Sequence, residues 1–196
     1  MQRPSRRRVF LGLLTIGTIG SIVAVAASPA TPDARLDGSL SLSASIGSRT
    51  LAVRRGGDVI NSYSVAVGSH KYPTPQGSYT IQKIVWNPAW IPPDSKWAEN
   101  KRPAGPGDPD NPMKVVKIFF REPAYFIHGT AATGSLGEAA SHGCIRMDPD
   151  QAGELALLLM DNAGIERDWD WVRGLLHMGE SRTVHLRVPV ELNVHE

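Results

Sequence analysis

Leu40, Leu42, Ala44 and Ile46 alternate with serines, a period of two that sets one face of a strand on a core and the other toward water. Leu51 to Val53, Val59 to Val67 and Tyr79 to Val85 repeat the β-prone character, separated by glycine or polar turns. Val115 to Phe120 and Tyr125 to Ile127 resume it. The pattern predicts a meander of antiparallel strands. Gly68 to Gly77 joins two of these runs, and its prolines and terminal glycine predict a fixed turn. Between Trp86 and Pro112 the period fails. Trp86, Trp90 and Trp97 stand there among prolines and glycines, as in an irregular loop whose aromatics either plug onto the core or line a groove.

Beyond a glycine-rich passage from His128 to Gly143 the period becomes helical. Asp148 is an N-cap acid, Pro149 suits the first helical position, and Gln151 follows the cap by three. Leu155, Ala156, Leu159 and Met160 form one apolar face before Gly164. A second helix runs from about Asp168 to His177 and closes at Gly179. Thr183 to Val190 reads as a last strand, with Pro189 marking an edge. The expected fold is mainly β with a few helices, in the α+β class. Residues 38–196 form one domain with a core over about 39–147 and a helix and strand tail over 148–196.

The first 30 residues belong to targeting. Arg3, Arg6, Arg7 and Arg8 precede the apolar run Val9 to Ala27, and small residues follow around Ala24 to Ala26 and Ala30, the order of a secretory signal. Arg7 to Leu11 also resembles a twin-arginine export pattern. The run is long enough to stay as a membrane anchor if uncleaved. Either route, general secretory or twin-arginine, places the rest outside the cytoplasm, in the periplasm or cell wall. Membrane contact is expected only through this segment.

Charge sharpens the picture. The 196 residues carry a formal net charge of +2, but without the four leading arginines the 19 acids outnumber the 17 remaining bases. A nucleic-acid partner is therefore not expected. The single cysteine excludes an intrachain disulfide framework.

That cysteine sits in Ser141-His142-Gly143-Cys144-Ile145-Arg146, with His128 upstream at the end of an apolar strand. A thiol reacts as thiolate, so it needs an imidazole or a positive field close by, and histidine can return the proton to a leaving amine. Gly143 allows close backbone approach, so that N–H groups at Gly143 and Cys144 can face a developing oxyanion. Arg146 can clamp a carboxylate. The same residue types also serve as a buried small hydrophobe and hydrogen-bonded structural histidines. His128, His142, Cys144 and Asp148 are in addition conceivable zinc ligands, although C-x-x-C and H-E-x-x-H spacings are absent. No Gly-x-Ser-x-Gly elbow supports a serine hydrolase.

At these residues the sequence resembles the L,D-transpeptidase catalytic domain family, also called YkuD-type. His128-Gly129-Thr130 and Ser141 to Arg146 carry the resemblance, which extends to Tyr72 to Gly77 and Gly107 to Pro112 and covers roughly Ser39 to Met147. Lys114 departs from it, standing where members often have glycine. The resemblance implies a β-sandwich or meander whose strands end at the site, two C-terminal helices and a final strand. It implies Cys144 as nucleophile and His128 as proton donor and acceptor. Ser141, His142 and Gly143 would support them, and Tyr125, Gly129, Thr130 and Arg146 would bind substrate, with no cofactor and no metal. The implied partners are peptidoglycan stem peptides, cleaved before a terminal D-alanine, and an amine acceptor, either a second stem or a protein. An L,D-carboxypeptidase using the same site, a non-catalytic wall-binding module and a zinc hydrolase are the alternatives.

Overall fold

The computed structural model describes residues 38–196; the expected export segment lies outside them. Eight strands form one hydrogen-bonded sheet: β1 (Leu40–Ser45), β2 (Thr50–Arg55), β3 (Asp58–Ser64), β5 (Gly77–Trp86), β6 (Lys114–Arg121), β7 (Tyr125–Gly129), β9 (Ile145–Met147) and β10 (Arg182–His195). Two short strands, β4 (Val67–Gly68) and β8 (Ala139–Ser141), pair beside it. The alternation read from the sequence is real. Leu40, Leu42 and Ala44 are buried while their serine neighbours are half-buried, so β1 turns one face inward. Leu51, Val53, Ile81, Ile84, Ile118, Ile127 and Ile145 complete this inner layer.

The spatial order is β3-β2-β1-β10-β5-β6-β7-β9. Meander pairing holds for β1–β2–β3 and for β5–β6–β7, but β1 with β10 and β7 with β9 are parallel. Pro189 stands where β10 still has no β1 neighbour, since β1 pairs only with Glu191 to His195; beyond it β10 lies in the middle of the sheet. Proline is tolerated at this position because the register with β5 breaks between His185 and Val190, where no ladder hydrogen bond is demanded of it. Past β3 the chain bends and pairs with β9, Ala66 and Arg146 exchanging N–H···O bonds of 2.9 and 2.8 Å. The sheet thus curls until its outer strands are linked.

Helix α1 (Pro149–Asn162) lies against the inner face and buries Leu155, Ala156, Leu159 and Met160, as its period predicts. Asp148 caps it by accepting from the Asp150 and Gln151 N–H groups. Helix α2 (Trp169–Met178) is capped by Asp168 and stops at Gly179, which adopts the left-handed conformation. None of the described helices is long and apolar enough to cross a membrane.

Residues 87–113 are irregular but tightly tied. Asn87 donates to the Leu175 and Glu180 carbonyls and accepts from the Gly107 N–H. Asn111 donates to the Pro88 and Gly105 carbonyls and accepts from the Met113 N–H. Both asparagines are buried, so side chains satisfy backbone groups that no sheet ladder reaches.

Candidate active site

The inward positions of β7 and β9, Ile127 and Ile145, stand side by side in register. Period two then sends Phe126 and His128, and Cys144 and Arg146, to the opposite face. On β6 the same rule turns Val116 and Ile118 inward and Lys117 and Phe119 outward, with Lys117 across from His128 and Phe119 across from Phe126. One outward stripe therefore gathers Cys144, His128, Arg146 and Lys117 around the Phe126 ring, which meets the His128 ring at 5.5 Å between centroids. Within this stripe His128 is only 3% exposed, whereas Cys144, Arg146 and Lys117 are half-buried.

His128 Nδ1 lies 2.8 Å from the Gly129 carbonyl oxygen. An oxygen of that kind only accepts, so Nδ1 carries the proton and Nε2 keeps the lone pair of a base. Burial is the main cause that lowers the His128 pKa from 6.5 to about 4, assisted by the charges of Arg146 and Lys117 and opposed by the Gly129 bond. The ring is neutral at pH 7. Because it binds fewer protons folded than unfolded between those two values, stability rises with pH through that window. The contribution is on the order of 3 kcal/mol. We expect His128→Gln to flatten the dependence of the urea midpoint on pH between about 4 and 6.5; an unchanged slope would assign the acid sensitivity elsewhere.

The Cys144 thiol donates to the Ala124 carbonyl at 3.4 Å. Burial pushes its pKa up to about 11, against the Phe126 N–H and the charges of Lys117 and Arg146, which favour the thiolate. At rest the thiol and the imidazole are thus both neutral.

The turn before Cys144 is held by Ser141, whose Oγ donates to the Cys144 carbonyl at 2.5 Å and accepts from the Gly143 N–H at 3.0 Å. That N–H is therefore engaged within the turn and does not face outward as an oxyanion donor, which corrects the expectation for Gly143. Glycine is required there on other grounds. Its φ is +106°, and an added Cβ would sit 2.8 Å from the Tyr125 ring. Tyr125 forms the neighbouring wall, with Arg121 over its ring at 5.6 Å.

Gly129 and Thr130, expected as substrate contacts, are packed internally instead. A Cβ on Gly129 would lie 2.5 Å from the Lys114 carbonyl oxygen, and buried Thr130 Oγ1 accepts from the Ala132 N–H. His142 is exposed and stacks on Trp97 at 4.0 Å, with Tyr72 at 4.8 Å on another side. Partial burial, then Arg146 and Lys71, lower its pKa. Of the three loop tryptophans, only Trp97 reaches the site. Trp86 is in the core with its indole N–H on the Met160 sulfur, and Trp90 is buried where its backbone pairs with Ala104. The four conceivable zinc ligands do not converge. His142 is in the aromatic stack and Asp148 caps α1, and among the described residues no three metal-binding side chains cluster. Lys117 and the asparagine ties of the 87–113 segment went unread in the sequence. The outward alternation of β6 was the signal for the former.

A family model described as the L,D-transpeptidase catalytic domain matches residues 42–173. The Bacillus subtilis proteins YqjB and YkuD, which carry L,D-transpeptidase names, are 34% and 30% identical over 110 and 118 residues. These alignments cover 54% and 60% of this chain and 57% and 59% of those proteins. A Fuscovulum blasticum relative with the same kind of name is 37% identical over 84 residues, 42% of this chain and 44% of its own. The chain thus spans about half the length of the curated relatives it matches. L,D-transpeptidase 3 from Mycobacterium tuberculosis is similar in fold, with a TM-score of 0.50 at 19% identity over 81% of this chain and 61% of that one.

Proposed function

Since the chain belongs to the L,D-transpeptidase catalytic domain family, we propose that it is an exported cysteine acyltransferase acting on peptidoglycan stem tetrapeptides. The observation that supports this reading most directly is that β7 and β9 set the molecule's one thiol on the same sheet face as a buried histidine whose Nε2 keeps the lone pair of a base. His128 Nε2 takes the Cys144 proton as the sulfur attacks the carbonyl between the L-centred diamino acid and the terminal D-alanine. The pair thereby passes from neutral to charged only when substrate excludes water, where Lys117, Arg146 and the Phe126 N–H favour the thiolate. With the Gly143 N–H engaged, the Cys144 N–H is the donor left in the turn for the oxyanion. His128 then gives its proton to the leaving nitrogen, D-alanine departs, and a thioester remains. An amine of a neighbouring stem attacks the thioester, forming a 3→3 cross-link and returning the thiol. Arg146 binds a stem carboxylate, and His142, Trp97 and Tyr125 wall the groove.

Mass spectrometry of the purified full chain with disaccharide-tetrapeptide fragments tests this reading. A dimer lighter than two fragments by one D-alanine and no water establishes transpeptidation. A tripeptide product makes the protein a carboxypeptidase with the same nucleophile. Neither product nor acyl adduct, with binding to sacculi retained, leaves a wall-binding module.

A further inference from the structure

Lys117 is held by a backbone carbonyl and an aromatic ring rather than by a carboxylate. It could extend into water from an outward position of β6, yet its ammonium donates to the Ala89 carbonyl at 2.9 Å and lies 4.9 Å from the centre of the Phe126 ring. Among the described residues the ion pairs are Lys83–Glu122, Arg173–Asp170 and Arg182–Glu180, so no carboxylate holds it there. Its register partner is His128. Phe126, beneath the ammonium, supplies the N–H that meets the Cys144 sulfur. The strand is shaped at this point, because β6 bulges between Lys114 and Lys117 with Val115 at a φ of +63°. A β-branched residue adopts that conformation only under constraint, and bulges of this kind re-aim the side chains that follow.

We propose that Lys117 is a positioning residue of the acyl-transfer site, supplying the fixed positive charge beside which the Cys144 thiolate forms and tying the 87–113 segment to β6 through the Ala89 carbonyl. The proposal rests on Cys144 being the nucleophile. Burial lowers the pKa of Lys117 and the Cys144 charge works the other way, so the two groups sense each other. The other charged group acting on the thiol is Arg146 from β9; His128 on β7 is acted on by Arg146 and Lys117, and His142, on the turn, by Arg146 and Lys71. Arg146 remains when Lys117 is removed, so the effect is graded.

The test is the rate of Cys144 alkylation by iodoacetamide across about pH 7 to 10, read by intact mass on the full chain, which has one cysteine. Lys117→Gln and Lys117→Met are expected to slow alkylation about threefold to tenfold at a given pH, equivalent to a thiol pKa higher by half to one unit. Lys117→Arg should stay within about twofold of the parent. Equal rates for parent and Gln variants, with matching urea midpoints, would overturn the proposal, and so would an Arg variant as slow as the Gln variant. If the Met variant does not fold, the comparison of Gln with Arg decides. Failure of the proposed function is distinguishable: the parent would alkylate normally and release no D-alanine, while the comparison of rates would still report on Lys117.

Discussion

Cys144→Ala is expected to reduce D-alanine release from tetrapeptide fragments to background, a loss of at least about four orders of magnitude. Removal of one sulfur leaves His128 on Gly129 and the Ser141 turn untouched, so the unfolding free energy from urea denaturation should change by less than about 1 kcal/mol. The two readouts must separate. Residual turnover above a hundredth of the parent would mean that another group attacks the substrate. A collapse of stability with the loss of activity would give the thiol a structural role.

The second large effect is expected at a residue with no side chain. In Gly129→Ala the new methyl would meet the Lys114 carbonyl oxygen at 2.5 Å and the Pro149 Cα at 2.9 Å. Both are backbone atoms, so neither can rotate away. Relief requires β7 to part from β6 or from the start of α1, at about 1 to 3 kcal/mol. The Gly129 carbonyl, which sets the tautomer of His128, moves with it, and a displacement near 1 Å at such a group costs about a hundredfold in turnover. Gly174→Ala is the control. Nothing lies within 4 Å of the added methyl, and helix α2 should gain up to about 1 kcal/mol. If both variants behave alike in denaturation and turnover, close approach at Gly129 is not what orders the site.

The elements of this fold were legible because they depend on local rules. Alternation marks β1 and β2, and Asp148, Pro149 and Gly179 mark helix ends. Pairing was not legible. A strand's pattern tells which residues face inward but not which strand lies beside it, so the parallel neighbours of β1 and β7 had no local signal. Pro189 marked the unpaired stretch of β10 but could not tell that β1 and β5 flank the residues after it. At the candidate site, Cys144 and His128 stand out in the sequence through their chemistry and spacing. Lys117 was hidden in plain alternation between Val116 and Ile118, because an outward lysine is ordinarily a solvated one. Only the long segment folded over it makes it different, and Trp97 could be told from Trp86 and Trp90 by no local rule.

The place of β10 has a consequence for the order in which this molecule can be built. The last strand of the described domain is its central one, lying between β1, whose Ser41 pairs with Glu191, and β5. As the chain emerges from the ribosome, β1–β2–β3 and β5–β6–β7 can each pair locally, but until residues 182–195 are available their adjoining edges have no partner. Such far-separated pairings slow folding, and uncovered strand edges invite association with other chains. A chain made in this order is held late in an unfinished state, its two sets of strands kept apart by the absence of a single one.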